Sequence, residues 1–311
     1  MIVLSDDDLD RLPIMALALE AMEDAFRERS RGKLVSPPRF QVPFGAYGNL
    51  VFTVGGKLDT APVAGFRVYN TFHGPDSPQL TVVWSADHAE LLGVIAGSRL
   101  GQIRTGAIGG IAIRYMSSPS AKVMGIIGSG PQARSQLEAA ASVRDLELVR
   151  VFSRNEQSRT AFAQEMSTAI GIRVEASRSA HAAVDGADIV TCATDSPTPV
   201  LDARWLKPGV HLNTLGPKTL DRHELGWDVA EMADVIATDS REQVCANGVP
   251  FFLSGSGNED RIIDLAEIVS GKTPARKTGT ETTLFCSVGL AGTEVMLASR
   301  LLTARDAKRR N

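Results

Sequence analysis

Residues 123–154 place an apolar run, a glycine turn, a helical pattern and a second apolar run in direct succession, and this order constrains the chain more than any other stretch. The run Val123–Ile127 leads straight into Gly128-Ser129-Gly130-Pro131-Gln132-Ala133, which fits G-x-G-x-x-G/A. A helix is expected over 135–143 and a second strand over Leu148–Phe152. In such a unit the first glycine allows the tight turn and the second lets the backbone approach a pyrophosphate. The small third residue lets the helix pack on the strand. The helix N-terminus then offers free N–H groups and a partial positive charge to an anion. Gly128, Ser129, Gly130, Pro131, Gln132 and Ala133 are therefore expected to bind a dinucleotide; an ordinary βα turn is the bland alternative.

The end of the second strand bears on which dinucleotide. An NAD site usually places a carboxylate there for the ribose 2′-hydroxyl, whereas this chain has Ser153-Arg154-Asn155 and no carboxylate before Glu156. A guanidinium and a hydroxyl suit a 2′-phosphate, so NADP(H) is the preferred cofactor. NAD(H) is the alternative, with Arg154 solvated and Glu156 reaching back to the ribose.

A chain of 311 residues can hold two domains with real cores, and a formal charge of −3 argues against nucleic acid or an anionic membrane as the main partner. The acidic start MIVLSDDDLD lacks the basic region of a signal peptide, and no apolar run approaches membrane-spanning length. Cys192, Cys245 and Cys286 show no C-x-x-C spacing and read as core thiols in a reducing compartment, so a cytoplasmic location is expected. The histidines are scattered without ligand spacing, and no metal site is expected. Arg305, Lys308, Arg309 and Arg310 form a short basic tail that reads as a solvated helix end.

Residues 1–115 have an α+β character. A short strand comes first, then a capping-box-like Ser5-Asp6-Asp7-Asp8, an amphipathic helix over 12–31, and strand-like runs at 50–54, 64–69 and 80–85. From 116 to about 286 strands alternate with helices, at 123–127, 148–152, Val174, 189–193, 211–214 and 235–238, which builds a parallel sheet. A further strand-like run, 284–287, precedes a last helix over about 292–305.

Arg104-Thr105-Gly106-Ala107, standing 24 positions before Gly128, together with GSGPQA, TCATDSPTPVL, GVHLNTLG, HEL and FCSVGLAGTEV, resembles the ornithine cyclodeaminase/mu-crystallin family over roughly residues 35–300. The resemblance implies an α/β fold in which a Rossmann-type doubly wound parallel sheet, 116–286, is inserted into an α+β dimerisation and substrate domain, 1–115 with 287–311. It also implies a homodimer. Arg39 in PPRF, Arg67 in GFRVYN and Arg104 in IRTGA match positions where the family binds the carboxylate of an amino or imino acid. Guanidinium suits that task as a bidentate fork. Thr105, the strand-end Thr194-Asp195-Ser196 and the segment Ser287-Val288-Gly289 match positions that touch the cofactor; as bare sequence they read as turns and a helix cap.

Two departures matter for chemistry. The family usually has lysine at position 67; Arg67 keeps the charge but does not readily deprotonate, so its acid–base use is limited. True ornithine cyclodeaminases carry an aspartate two positions after the glycine that corresponds to Gly216, and here that position is Lys218. Two like charges about 4 Å apart at an effective dielectric of about 20 repel by roughly 4 kcal/mol. This would weaken binding of the ornithine side-chain ammonium about a thousandfold. Asp221 is the candidate substitute, so Arg67, Lys218 and Asp221 form the candidate catalytic set. His73 is a lesser candidate proton donor, and Glu224 reads as serving a helix dipole at a helix start.

The expected function is NAD(P)-dependent reduction of a small, cyclic imino acid, or dehydrogenation of an amino acid. Two alternatives stay open: ornithine cyclodeamination proper, and a protein that binds NADPH and a small ligand with little turnover.

Overall fold

Strand β1 (Ile2–Ser5) gives way to α1 (Asp6–Asp10) at Ser5, whose hydroxyl accepts from Asp8 N while the Asp8 carboxylate returns to Ser5 N. The capping box thus opens a five-residue helix. Pro13 separates it from the expected long helix, α2 (Ile14–Ser30), which buries Ile14, Ala18, Leu19, Met22, Ala25 and Phe26 on one face. The computed structural model describes residues 2–72, 78–246 and 248–310, with side chains through residue 305. Contacts divide the chain into two units, Met1–Arg104 with Gly289–Asn311, and Thr105–Val288.

In the first unit β2 (Leu34–Val35), β3 (Phe40–Pro43), β4 (Asn49–Lys57), β5 (Val63–Asn70), β6 (Leu80–Ser85) and β7 (Glu90–Ala96) join β1 in a seven-stranded sheet. The order is β1-β7-β6-β5-β4-β2, with β3 on β4, and every pairing is antiparallel except β1 on β7. Thr53, Arg67 and Thr81 stand in register across β4, β5 and β6, so an arginine enters the buried side of the sheet. Next comes α3 (Arg99–Met116), and the division between the units falls inside it at 104/105, where sequence pattern places a change at 115/116. The helix carries no internal break in composition that would mark the spot.

The second unit continues with β8 (Val123–Ile127), α4 (Pro131–Val143), β9 (Leu148–Phe152), α5 (Glu156–Ile170), β10 (Arg173–Ala176), α6 (Ala180–Val184), β11 (Ile189–Cys192) and β12 (His211–Thr214). A hairpin of β13 (Lys218–Thr219) and β14 (Arg222–His223) precedes α7 (Trp227–Met232), β15 (Val235–Thr238), α8 (Arg241–Ala246), β16 (Ile262–Asp264), α9 (Leu265–Val269) and β17 (Thr283–Cys286). The closing helix, α10 (Thr293–Arg310), belongs to the first unit, where it packs on α2 and across β4 to β7.

The eight strands of the second sheet are all parallel, in the order β10-β9-β8-β11-β12-β17-β15-β16. Alternating residues feed cores on opposite faces: Met124 and Ile126 join Leu137, Val149 and Phe162, while Ile127, Val190 and Cys192 join Val184, Leu212 and Leu284. The chain winds outward from β8 through β9 to β10, then starts again from β11 on the other side of β8. This is the expected doubly wound arrangement, and its switch point lies between β8 and β11. β17 enters between β12 and β15, and β16 was not legible as a strand in the sequence. Among the described residues, no helix is long and apolar enough to cross a membrane.

His211 is wholly buried in β12, with Nδ1 2.8 Å from Thr283 Oγ1 and Nε2 2.9 Å from Asn213 Oδ1. Asn213 in turn donates to Gly109 O of α3, 3.1 Å away. Burial, assisted by the nearby Arg276, pushes the imidazole pKa from 6.5 down to about 3. The unfolded chain therefore takes up the proton first between these values, and stability is lost as pH falls through that window. The protein is expected to lose on the order of 2 kcal/mol between pH 7 and pH 5 through this group. Urea midpoints at the two pH values, compared with those of His211→Gln, check this: an unchanged pH dependence in the variant removes His211 as the cause.

Candidate active site

Gly128 is the turn that shapes the dinucleotide end of the second unit. Its φ of +114° is a glycine conformation, and a Cβ there would lie 2.2 Å from Ala193 O. Its N–H bonds Phe152 O at 2.8 Å, which ties the ends of β8 and β9. Gly130 caps α4 with Pro131 as the first helical residue, and nothing lies within 4 Å of where its Cβ would be, so the helix N-terminus opens onto free space. Ser129 donates to Ser153 across the turn at 2.9 Å.

A cavity of about 860 Å³ lies at this switch point. Gly128, Ser129, Gly130, Pro131 and Gln132 line it from the fingerprint, Ser153, Arg154 and Asn155 from the end of β9, and Thr194, Asp195 and Ser196 from the end of β11. Gln132 Oε1 is buried without a hydrogen-bond partner among the described residues. Ala133 is fully buried behind the lining, in the packing role expected of the third small residue. Thr105, whose carbonyl accepts from Gln136 at 3.0 Å, lies outside this lining, as do Ser287, Val288 and Gly289. Asn155 caps α5 by accepting from Ser158 N at 2.8 Å. Glu156 faces Arg159 at 3.7 Å with its side chain 82% exposed and does not line the cavity.

At the same carboxyl edge of the sheet, two buried carboxylates organise the loops. Glu224 is fully buried, and its Oε2 accepts from Thr194 N and Thr194 Oγ1 at 2.9 and 2.7 Å. Its Oε1 accepts from Thr214 Oγ1, Leu215 N and Gly216 N at 2.7, 2.9 and 2.6 Å. The expectation that Glu224 serves a helix dipole is corrected: α7 begins only at Trp227, and Glu224 ties the end of β11 to the end of β12. Asp239, also fully buried, accepts from Val288 N at 2.8 Å and from Ser287 Oγ at 3.3 Å, which fixes the segment after β17.

Lys218 is half-buried, and its ammonium donates to Gly216 O at 2.7 Å. Burial lowers its pKa, and the carboxylates of Glu224 and Asp239 oppose that shift. The Cys286 thiol is pushed up to about 12 by burial, so it stays protonated. Asp221 is placed elsewhere. It sits exposed at the hairpin tip, its carboxylate accepting from Thr219 Oγ1 at 2.6 Å, and this hydrogen bond lowers its pKa. Among the described contacts its carboxylate meets Thr219 and not Lys218. His223 lies in β14 with Nδ1 3.0 Å from Thr219 O, and His73 lies outside the described residues.

In the first unit the three arginines converge. Arg67 NH1 and Arg104 NH2 share Glu294 Oε1, at 3.0 and 2.5 Å. A Cβ on Gly289 would lie 3.4 Å from Arg39 NH1 and 3.8 Å from Arg104 NH1. Glu294, in the first turn of α10, is 1% exposed; burial penalises its charge, but Arg104 and Arg67 hold its carboxyl below the usual range. Burial lowers the Arg67 pKa, with Glu294 opposing and Arg104 adding to the shift. Sequence reasoning missed Glu294, Glu224 and Asp239, since each looks like an ordinary acidic residue beside a helix or strand end.

The profile of the ornithine cyclodeaminase/mu-crystallin family matches residues 1–305. A Delta(1)-pyrroline-2-carboxylate reductase of Bacillus cereus is 30% identical, over 97% of this chain and 95% of its own length. The ketimine reductase mu-crystallin of Macropus fuliginosus is 28% identical, over 95% of this chain and 94% of its own. Among solved structures, Delta(1)-pyrroline-2-carboxylate reductase from Thermococcus litoralis in complex with NADH and L-proline matches with a TM-score of 0.88 and 29% identity, covering 97% of each chain.

Glu224→Gln puts an amide NH2 where either orientation faces N–H or O–H donors. The substitution is expected to cost about 3 kcal/mol and to weaken dinucleotide affinity by loosening Thr194. Urea unfolding and cofactor titration check this; a variant as stable as the parent would show that the carboxylate is dispensable.

Proposed function

This chain belongs to the ornithine cyclodeaminase/mu-crystallin family, and on that premise we propose that it reduces a small cyclic imino acid to the corresponding amino acid with NADPH. It is an NAD(P)-dependent oxidoreductase of imino and amino acids. The observation that carries the reading is the presence in one chain of an open cavity at the glycine fingerprint and of two buried guanidiniums, Arg67 and Arg104, that share one oxygen of a single buried carboxylate. Two buried cations facing one carboxylate suit an anionic ligand.

A dihydronicotinamide held by the fingerprint residues would supply a hydride to the carbon of a protonated C=N bond. The arginine cluster holds the substrate carboxylate and so fixes the reacting carbon, and positioning supplies much of the rate. The nitrogen already carries its proton in the iminium, and the product is the neutral amine until it takes up a further proton from solvent. Lys218, whose pKa burial lowers, is proposed to set the charge of the site and is assigned no proton transfer in this step. The fingerprint residues Gly128 to Gln132, Ser153 to Asn155 and Thr194 to Ser196 are the proposed cofactor contacts; Ser287 to Gly289 are proposed from the family resemblance alone, outside that cavity lining, and Thr105 supports α4 through Gln136.

NADP(H) over NAD(H) is supported by Arg154 in the cavity lining and by Glu156 turning to Arg159 instead of to the ribose position. A second copy of the chain is the proposed partner. Phe40, Val42, Phe44 and Tyr47 are all exposed around β3, and an apolar surface of this kind suits burial against another subunit.

NADPH is expected to bind at least tenfold more tightly than NADH, and Arg154→Asp to reverse the order. Fluorescence titration decides, and equal affinities in the unmodified protein would sink the preference. Ornithine is expected to release no ammonia with NAD⁺ or NADP⁺, because Lys218 opposes a side-chain ammonium, and Lys218→Asp is expected to give at most a trace. Robust ammonia release by the unmodified protein would establish cyclodeamination instead.

A further inference from the structure

We infer that Glu294 sorts the three arginines into two that receive the substrate carboxylate, Arg39 and Arg104, and one, Arg67, that braces them without touching it. The inference rests on the imino-acid reading above and narrows it to named atoms.

Arg67 is already engaged on all three of its nitrogens. Nε and NH2 donate to Gln79 Oε1 at 2.9 and 2.6 Å, and NH1 donates to Glu294 Oε1 at 3.0 Å. Its guanidinium carbon stacks 4.4 Å from the Tyr69 ring centroid. From α3, Gly101 comes so near that a Cβ there would stand 2.9 Å from Arg67 NH2. With Gln79 on its Nε–NH2 fork, Glu294 on NH1 and Tyr69 over its face, Arg67 has three of its five N–H groups committed within the chain, which disfavours it as the fork that receives a carboxylate.

Arg104 is different. It is only 7% exposed, yet its Nε has no hydrogen-bond partner among the described residues. A buried guanidinium N–H without an acceptor is rare and costly, and a bound carboxylate is a fitting acceptor for it. NH2 is taken by Glu294, which fixes the plane of the group. NH1 reaches toward Gly289, where Arg39 NH1 arrives from the opposite element. Gly289 has a φ of +93° and no side chain, which leaves the notch between the two NH1 groups clear.

Glu294 therefore does two things with one oxygen. It neutralises part of the repulsion between Arg67 and Arg104, and it hands the rigidity of the Gln79–Arg67–Tyr69 assembly to Arg104. Arg67, Gln79 and Glu294 are positioning residues, while Arg39 and Arg104 contact the substrate. The family's lysine position has thus become, in this chain, part of the scaffold.

The test uses the full chain with Delta(1)-pyrroline-2-carboxylate and NADPH. Arg39→Lys and Arg104→Lys are expected to raise KM for the imino acid by roughly thirtyfold or more, with NADPH affinity unchanged. Arg67→Lys and Gln79→Leu are expected to keep KM within about threefold while kcat falls about tenfold, since orientation and not contact is lost. Glu294→Gln should share that pattern, and Glu294→Asp should recover part of kcat. A rise in KM for Arg67→Lys and Gln79→Leu equal to that for Arg104→Lys would overturn the sorting and leave the imino-acid reading intact. If the unmodified protein reduces no imino acid, the functional reading fails by itself, and the same variants are read by thermal stabilisation with formate, a bare carboxylate. Stabilisation kept in Arg67→Lys or Gln79→Leu but lost in Arg104→Lys supports the sorting. Loss in all of them, or no stabilisation of the unmodified protein, overturns it.

Discussion

Buried carboxylates that accept from several loops at once hold the functional ends of this molecule in place. Glu224 is the strongest case. Five donors from the ends of β11 and β12 converge on its two oxygens, so neither loop can move without exposing an unsatisfied group. A carboxylate taken out of water at this cost persists only where its donors are complete, and completeness makes the arrangement rigid. Asp239 acts in the same manner on the segment after β17. The carboxyl edge of a parallel sheet is where strands stop pairing and loops must satisfy their own backbone groups, so it is the natural place for such anchors.

The first unit solves a different electrostatic problem with the same device. Arg67 enters through the buried face of an antiparallel sheet, and Arg104 through a helix, so two cations meet where solvent cannot screen them. Glu294 supplies a shared counter-charge from the first turn of α10, where the helix dipole also favours a negative group. Arg67 and Arg104 face this one carboxylate together, and the proposed binding of a substrate carboxylate builds on that pairing. The identities of the side chains around it then decide which nitrogens remain for the ligand.

Where the resemblance places the cyclodeaminases' aspartate, this chain has Lys218, and the proposed function turns on that exchange. Lys218 lies among acids and thiols at the end of β12, with its ammonium on a carbonyl, and burial makes it the more readily deprotonated. A neighbourhood arranged around a cation tolerates a substrate with one ionised carboxylate and a compact side chain better than one with a distal ammonium. Simple hydride transfer to an iminium needs no further relay, which is consistent with Asp221 standing exposed on the hairpin tip.

Local pattern was enough for the parts of this protein that repeat a short-range rule. The fingerprint turn, the alternation of strands and helices, the capping box at Ser5 and the strands β4 to β6 are written in neighbouring residues, because a glycine turn, a period of two or a cap each depends on only a few positions. The resemblance to the family then singled out Arg39, Arg67 and Arg104 at positions far apart in the chain, where pattern alone reads Arg104 as a helix cap and the other two as surface ion pairs. The roles of Glu224, Asp239 and Glu294, and the separation of Asp221 from Lys218, were decided only by tertiary structure. The donors that make an acid structural come from strands and helices up to 227 residues away, and a carboxylate beside a helix start looks the same in sequence whether it faces water or two guanidiniums.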